Sequence, residues 1–273
     1  MIEQLHPGVS ASRARVVIFD FDGTISLIRA GWMDVMVPMM VEILSTLNSG
    51  ETGSQILSVV EDFVWRLTGQ QTIYQMIELA AQVERRGGRP LEPAAYKRMY
   101  LDRLHLKIGG RLADLRAGGS PEKYLVPGAR ALLEALDARG LTMYLASGTD
   151  QEFMRLEADL LDVSRYFPGR VYGALDDYRS FSKRILIEHI IASAECRGDE
   201  FLGFGDGYVE IENIKQVGGV AVGVATDEPA CLQVDPWKRN RLAGVGADFI
   251  IPNYLYRDEL LAALFNGPGS GAS

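Results

Sequence analysis

Residues 15–24 decide the fold, and they read Arg15-Val16-Val17-Ile18-Phe19-Asp20-Phe21-Asp22-Gly23-Thr24. A short run of β-branched and aromatic residues that ends in Asp and Gly predicts a buried strand followed by a loop at its carboxyl end. Four similar apolar runs follow much later, at 141–146, 201–205, 220–225 and 247–252, with helical patterns at 129–138, 151–161 and 184–194. Strands that alternate with helices indicate an α/β fold, with a parallel sheet covered on both faces.

Residues 26–125 have a different pattern. Apolar residues recur there at helical spacing, and Gly-containing breaks separate the segments. We therefore predict four or five helices inserted between two parts of a core, 1–25 and 126–265. Such an insertion either covers the end of the first strand as a cap or only enlarges the core. The Gly-, Ser- and Pro-containing tail, 266–273, is expected to be disordered.

The composition excludes several function classes. The 273 residues contain 47% hydrophobic residues and a formal net charge of −8, without a basic cluster. A main role in nucleic-acid binding is not expected from so acidic a chain. No apolar run is long enough for a transmembrane helix, and the first residues do not resemble a signal peptide. Cys196 and Cys231 are too few for a disulfide framework, so we expect a cytoplasmic protein without a membrane partner.

Asp20 and Asp22 follow the first predicted strand, two positions apart. Two carboxylates at a strand end suggest a nucleophile beside a general acid/base. Gly23 lets the backbone approach an anion closely, so its N–H is expected to join a phosphate-binding concavity. The alternative is an ordinary Asp-Gly turn without catalysis.

Three later segments also come at predicted strand ends or helix starts. Ser147 and Gly148 offer a hydroxyl and an N–H at the start of a helix, an arrangement that suits an anion but also an N-cap. Lys183 precedes a helix and could neutralise a phosphoryl oxygen. Asp206 and Glu210 add carboxylates, the ligands that Mg²⁺ prefers.

Together these segments resemble the haloacid dehalogenase superfamily. The resemblance rests on Asp20-x-Asp22-Gly23-Thr24, Ser147, Lys183, and Gly205-Asp206 with Glu210, and on Val126-Pro127-Gly128 at the return from the insertion. It implies a Rossmann-like core with a helical cap inserted after the first motif. Glu210 and Arg184 depart from the family pattern, in which Asp and Pro are common at these positions.

The resemblance also implies roles for the motif residues. Asp20 would accept the phosphoryl group, and Asp22 would protonate the leaving oxygen and then activate water. Gly23, Ser147, Gly148 and Lys183 would hold the phosphoryl oxygens. Asp20, the Asp22 carbonyl and Asp206 would bind Mg²⁺, with Glu210 completing the shell directly or through water.

Asp22 narrows the class of reaction that the resemblance implies. Dehalogenases of the superfamily lack this second Asp, and its transport ATPases carry Thr there. The sequence therefore favours a Mg²⁺-dependent phosphatase acting on a small phosphorylated metabolite, a sugar or polyol phosphate above all. A phosphomutase of the same architecture and a non-catalytic sensor of phosphorylated metabolites remain as alternatives.

Substrate specificity is expected to come from the insertion. Arg29 and Trp32 follow the first motif, and Gln70, Gln71 and Thr72 lie in a polar break between helices. Amides and hydroxyls could bind sugar hydroxyls, and an indole could stack on a sugar face. Trp32 could equally belong to an apolar helical stripe, and the break at Thr68-Gly69 could be only a helix end.

Overall fold

The computed structural model of the protein describes residues 2–175, 177, 182–194, 196–228 and 230–266. Residues 267–273, which make up nearly all of the predicted disordered tail, lie outside these ranges. Among the described residues, no helix combines the length and the apolar character that crossing a membrane requires.

One sheet contains all the strands of the described chain, in the spatial order β1-β7-β6-β5-β2-β3-β4. The strands are β1 (Glu3–Gln4), β2 (Val16–Phe19), β3 (Thr142–Asp150), β4 (Val171–Ala174), β5 (Phe201–Gly205), β6 (Val220–Val224) and β7 (Phe249–Ile251). Every neighbouring pair is parallel except β1 and β7. The predicted parallel α/β sheet is thereby confirmed. The edge strands β1 and β4 were not predicted, because Glu3–Gln4 is polar and Val171–Ala174 is only partly buried, so neither has a continuous apolar run.

Ten α-helices lie within the described residues. They are α1 (Met33–Ser45), α2 (Gly53–Leu67), α3 (Thr72–Arg85), α4 (Pro93–Arg116), α5 (Ala129–Asp137), α6 (Gln151–Leu160), α7 (Lys183–Ala194), α8 (Tyr208–Gln216), α9 (Pro236–Gly244) and α10 (Arg257–Phe265). Local sequence explains several starts. Thr52 and Gln55 form a capping box at α2, and Asp235 accepts a hydrogen bond from the Lys238 N–H at α9.

The alternation of β2 shows why both faces of the sheet are covered. Val17 and Phe19 belong to the apolar cluster that contains α5 and α6, whereas Val16 and Ile18 belong to the cluster that contains α7 and α8. All four side chains are buried. A strand that is apolar on both faces is typical of the centre of a parallel sheet.

The inserted segment contains α1 to α4 and a short 3₁₀ turn at Pro121–Tyr124, in agreement with the four or five helices expected. Its two ends run side by side. The Leu27 N–H donates to the Tyr124 carbonyl at 2.8 Å, and the Val126 N–H donates to the Ile25 carbonyl at 2.9 Å. The chain therefore leaves the sheet and returns to it at one place, next to the carboxyl end of β2.

Candidate active site

Asp20 lies directly after β2, in the middle of the sheet. Its N–H donates to the Phe204 carbonyl at 2.9 Å, which fixes the backbone against β5. Its carboxylate is buried and accepts a hydrogen bond from Lys183 Nζ at 2.5 Å. Burial raises the pKa of Asp20 to about 7; Lys183 lowers it, and the nearby Asp206 and Asp22 carboxylates raise it. Asp20 is thus a buried carboxylate held by one ammonium group.

Asp22 faces the end of β3. Its Oδ2 accepts hydrogen bonds from Ser147 Oγ at 3.1 Å and from Thr149 Oγ1 at 2.8 Å. The register of β3 against β4 shifts between Ala146 and Asp150, and such irregularities re-aim side chains at strand ends. Side chains two positions apart on a strand point to the same face, so both hydroxyls reach the same carboxylate oxygen. The other oxygen, Asp22 Oδ1, is buried and has no hydrogen-bond partner.

Gly148 lies between these two hydroxyls, directly under the inserted helices. A Cβ at this position would lie 2.7 Å from the Gln70 carbonyl oxygen, closer than real Cβ contacts. The loop between α2 and α3 therefore rests on the end of β3, and only glycine permits the approach.

Asp206 and Glu210 contribute the remaining carboxylates. Asp206 Oδ2 accepts from Lys238 Nζ at 3.1 Å, and the same ammonium donates to Glu228 Oε1 at 3.0 Å. The Glu210 carboxylate contacts the Lys183 ammonium. In this structure Lys183 therefore lies between Asp20 and Glu210, and Asp206 is paired with a lysine that the sequence analysis did not assign to the site.

Gly23 has a different role from the one expected. Its N–H donates to the Ser26 carbonyl at 2.9 Å rather than facing the cavity. Its φ of +75° requires glycine, and a Cβ would lie 2.4 Å from Asp206 Oδ2. Gly23 allows the first loop to turn sharply and to approach Asp206, because no side chain stands between them.

A cavity of about 110 Å³ joins these residues beneath the inserted helices. Of the residues singled out from the sequence, those that line it are Asp20, Asp22, Arg29, Trp32, Gln70, Thr72, Ser147, Gly148, Lys183, Asp206 and Glu210. Gly23 and Gln71 are not among its lining residues. Gln71 lines a neighbouring cavity on the other side of Gly148 and Lys183.

Arg29 enters the cavity wall as half of a buried ion pair. Its guanidinium donates to Glu157 on α6, with Nη2 to Oε1 at 2.7 Å and Nε to both carboxylate oxygens at 3.1 Å. Both side chains are almost completely buried. Burial raises the pKa of Glu157 despite the opposing effect of Arg29. The positive charge of Arg29 is thus largely neutralised before any substrate arrives.

Several wall residues were missed by sequence reasoning. Tyr100, Gln75 and Met36 line the cavity from α4, α3 and α1. Tyr100 is one of six residues at helical spacing that form the buried side of α4, so its pattern indicates only core packing. The hydroxyl of Thr149 had a signal in the sequence, since it lies two residues after Ser147, but the sequence analysis did not assign it to the site.

The carboxylates of the cavity are the candidate ligands for the Mg²⁺ ion that the sequence resemblance implies. Among the described residues, no group of three or more His, Cys, Asp or Glu side chains is arranged to hold a metal ion. Mg²⁺ does not require one, because it is commonly bound by one or two carboxylates together with water and substrate phosphate. Burial and the neighbouring Asp206 and Asp22 carboxylates raise the pKa of Asp20, and Asp22 Oδ1, which lies 3.9 Å from Arg29 Nε, accepts no hydrogen bond. Asp20 and Asp206 therefore fit a hard cation.

Comparison with known proteins gives one family and several similar folds. A family model described as haloacid dehalogenase-like hydrolase matches residues 14–218, more than half of the chain. None of the curated proteins compared matches the chain.

The similar solved structures cover nearly the whole chain. A predicted phosphoglycolate phosphatase from Haemophilus somnus is 13% identical, with a TM-score of 0.58 over 91% of this chain and 98% of that chain. A proposed β-phosphoglucomutase from Thermotoga maritima is 18% identical, with a TM-score of 0.52 over 90% and 98%. A HAD family hydrolase from Deinococcus radiodurans, with bound phosphate and sodium, is 14% identical, with a TM-score of 0.53 over 92% and 96%. At these identities the likeness establishes the fold.

Proposed function

The chain belongs to the haloacid dehalogenase-like hydrolases, and on that premise we propose that it is a phosphatase. It would release inorganic phosphate from a small phosphorylated metabolite through an aspartyl-phosphate on Asp20. The observation that carries the proposal is the pairing of two carboxylates in one cavity. Asp20 is held by Lys183, and Asp22 is held by Ser147 and Thr149.

The reaction assigns a different task to each carboxylate. The Asp20 carboxylate attacks phosphorus, and the bond between phosphorus and the leaving oxygen breaks. Asp22 gives its proton to the leaving oxygen, then takes a proton from the water that attacks the aspartyl-phosphate. Two hydroxyls donate to Asp22 Oδ2, so the unpartnered Oδ1 is the oxygen that can carry the proton. The water releases phosphate and restores Asp20.

The cations and hydroxyls of the chain would hold the phosphoryl group during these steps. Lys183 is buried beside Asp20, and Ser147 lies across the cavity. Asp20, Asp206 and the Asp22 carbonyl would hold Mg²⁺, which supplies positive charge to the phosphoryl oxygens. Glu210 contacts Lys183, and this favours a role in orienting the ammonium over the predicted role as a metal ligand.

The inserted helices would act as a cap that keeps bulk water from the cavity. The contact between Gln70 and Gly148 closes the cavity from above. Gln70 also donates to the Tyr208 hydroxyl at 3.1 Å, which ties the same loop to α8. These contacts support the domain division into a core and a helical cap at residues 26–125.

The charge balance of the wall supports a sugar or polyol phosphate. The leaving group would face Arg29, Tyr100, Thr72 and Gln75. Arg29 is neutralised by Glu157, and the other three groups are uncharged hydroxyls and an amide. Among the described residues of this wall, a carboxylate on the leaving group would find no cation without a partner of its own, whereas hydroxyl groups would find donors and acceptors.

The test is release of inorganic phosphate from a panel of sugar, polyol, nucleotide and carboxylic-acid phosphates, with Mg²⁺ and with EDTA. We expect release with Mg²⁺ that Asp20→Asn lowers by more than about a thousandfold. Asp258→Asn, on the exposed side of α10, is the matched control and should leave the rate unchanged. No release from any compound would contradict the proposal.

The same assay separates the alternative activities. A phosphomutase would interconvert isomers with stimulation by a bisphosphate and with little net phosphate release. A sensor would bind phosphorylated compounds without turnover, so neither wild type nor Asp20→Asn would release inorganic phosphate. The cytoplasmic location and the absence of nucleic-acid partners stay predictions.

A further inference from the structure

All three tryptophans of the chain line one cavity beside the candidate active site. Trp32 lies just before α1 and Trp65 lies near the end of α2, both in the inserted segment, and Trp237 lies on α9 of the core. The cavity has a volume of about 400 Å³. Trp65 and Trp237 contact each other, with ring centroids 4.0 Å apart and planes inclined by 50°. Cap and core therefore meet along an aromatic wall that is hereafter called the tryptophan cavity.

The tryptophan cavity borders the catalytic cavity, because Trp32, Thr68 and Asp206 line both of them. A substrate that places its phosphate at Asp20 would extend past Trp32 to enter the larger space. The smaller cavity, about 110 Å³, leaves little room for more than the phosphate and the group that carries it.

The charges in the wall decide which ligand chemistry fits. Lys107 donates to Asp34 at 2.8 Å, and Lys238 donates to Asp206 and Glu228. Arg111 donates to three backbone carbonyls, including that of Ile28 at 2.6 Å. Each cation of the wall is thus already engaged, and a second anionic group would face carboxylates. Indole faces bind flat rings of low charge, which stack on them.

We propose that the tryptophan cavity binds an uncharged ring carried by the substrate, so that the enzyme acts on ring-bearing phosphate esters in preference to short-chain ones. The inference rests on the proposed phosphatase function and names its substrate class. The ring is either a second sugar ring, as in a disaccharide phosphate, or the base of a nucleoside phosphate, since a sugar ring offers an apolar C–H face and a base a flat aromatic one.

The experiment compares trehalose phosphate, adenosine monophosphate and glycerol phosphate in wild type and in Trp237→Ala. Trp237 is 43% exposed, so its loss is compatible with folding. We expect the ratio of kcat/KM for a ring ester to that for glycerol phosphate to fall about tenfold or more in Trp237→Ala. Trp237→Phe should restore the ratio, because it keeps an aromatic face. The better of the two ring esters identifies the kind of ring.

The ratio separates ring binding from cap positioning. A variant that only loosens the cap lowers kcat/KM for all esters alike and leaves the ratio unchanged, and that outcome would overturn the inference. Leu106→Ala, an 85% exposed position on α4 outside the cavity, is the matched control.

Tryptophan fluorescence tests the inference independently of turnover. Because every tryptophan lines this cavity, the intrinsic emission of the protein reports on its occupancy. Trehalose phosphate should change the emission of Asp20→Asn at concentrations where glycerol phosphate does not. If wild type hydrolyses none of the esters, the proposed function fails, and this titration alone decides whether the cavity binds a ring. Equal changes in emission with trehalose phosphate and glycerol phosphate would refute ring binding.

Discussion

At the scale of single residues, Asp20 links the chemistry of the site to the stability of the fold. The folded protein holds a proton on this carboxyl more tightly than the unfolded chain does, because burial raises its pKa from 3.8 to about 7. Between these two pH values the unfolded state ionises more readily than the folded state. In metal-free protein, folding therefore takes up a proton at Asp20 in this window, and the free energy of unfolding falls as pH rises through it, by up to about 1.4 kcal/mol per pH unit.

Asp20→Asn removes this pH-dependent loss of stability, because an amide does not ionise. We expect the variant to have a higher free energy of unfolding than wild type at pH 8 in EDTA, and nearly the same value at pH 4. Urea denaturation of both proteins at the two pH values measures the difference. If the free energies of unfolding of the two proteins differ by the same amount at both pH values, burial does not raise the pKa of Asp20.

At the same scale, some residues of the site could be predicted from the sequence and others could not. Asp20, Asp22 and Lys183 were found because motif residues at strand ends and helix starts converge on one edge of the sheet. Lys238 and Glu157 were not, since nothing local distinguishes a lysine or glutamate whose partner is far away in sequence. Lys238 lies 32 residues from Asp206, and Glu157 lies 128 residues from Arg29.

At the scale of elements, the contact between the α2–α3 loop and the end of β3 leaves no space for a side chain at Gly148. We predict that Gly148→Ala lowers kcat/KM by at least about tenfold, because its Cβ would displace the Gln70 carbonyl and with it the loop that covers the cavity. Circular dichroism should show a folded protein, and phosphate release measures the loss.

Gly109→Ala provides the comparison within α4. A Cβ at Gly109 meets nothing within 4 Å, so this variant should keep full activity. It should also be more stable by about 1 kcal/mol, because alanine favours a helix over glycine. Equal activity of the two variants would mean that the loop accommodates a side chain at Gly148.

The elements themselves were predictable to different degrees. The strands β2, β5, β6 and β7 have apolar runs bounded by turn residues, and their existence follows from the sequence. The end of β3 does not, because Ser147 to Asp150 were expected to follow the strand, whereas the structure continues it, with a register shift, to Asp150. Such an irregularity depends on the partner strand and leaves no local pattern.

At the scale of the whole molecule, the cap is fastened to the core by α9. Arg241 donates to the carbonyls of Trp65 and Arg66 at the end of α2, and its guanidinium lies 4.4 Å from the centre of the Tyr208 ring. Helix ends carry carbonyls without helical partners, and Arg241 donates to two of them in addition to the Thr68 N–H and the Tyr208 hydroxyl.

Arg241→Met is therefore expected to raise KM by roughly threefold to tenfold, the equivalent of one or two hydrogen bonds, through a cap that closes less completely. Steady-state kinetics measures the change, and hydrogen exchange at the end of α2 should become faster. Arg239→Met is the control, since Arg239 lies on the same helix but pairs with Glu3 within the core. A similar KM in both variants would exclude the fastening role of Arg241.

The paired ends of the insertion have a consequence for how such an enzyme can change. Ile25 and Val126 are hydrogen-bonded neighbours although a hundred residues separate them in sequence, so the helices between them are attached to the core through a single two-stranded stem. A shorter or entirely different set of helices could be grafted onto that stem without moving Asp20, Ser147, Lys183 or Asp206. Under the proposed function, the substrate contacts made by the inserted helices can thus be exchanged while the residues that would break the phosphate ester bond stay in place.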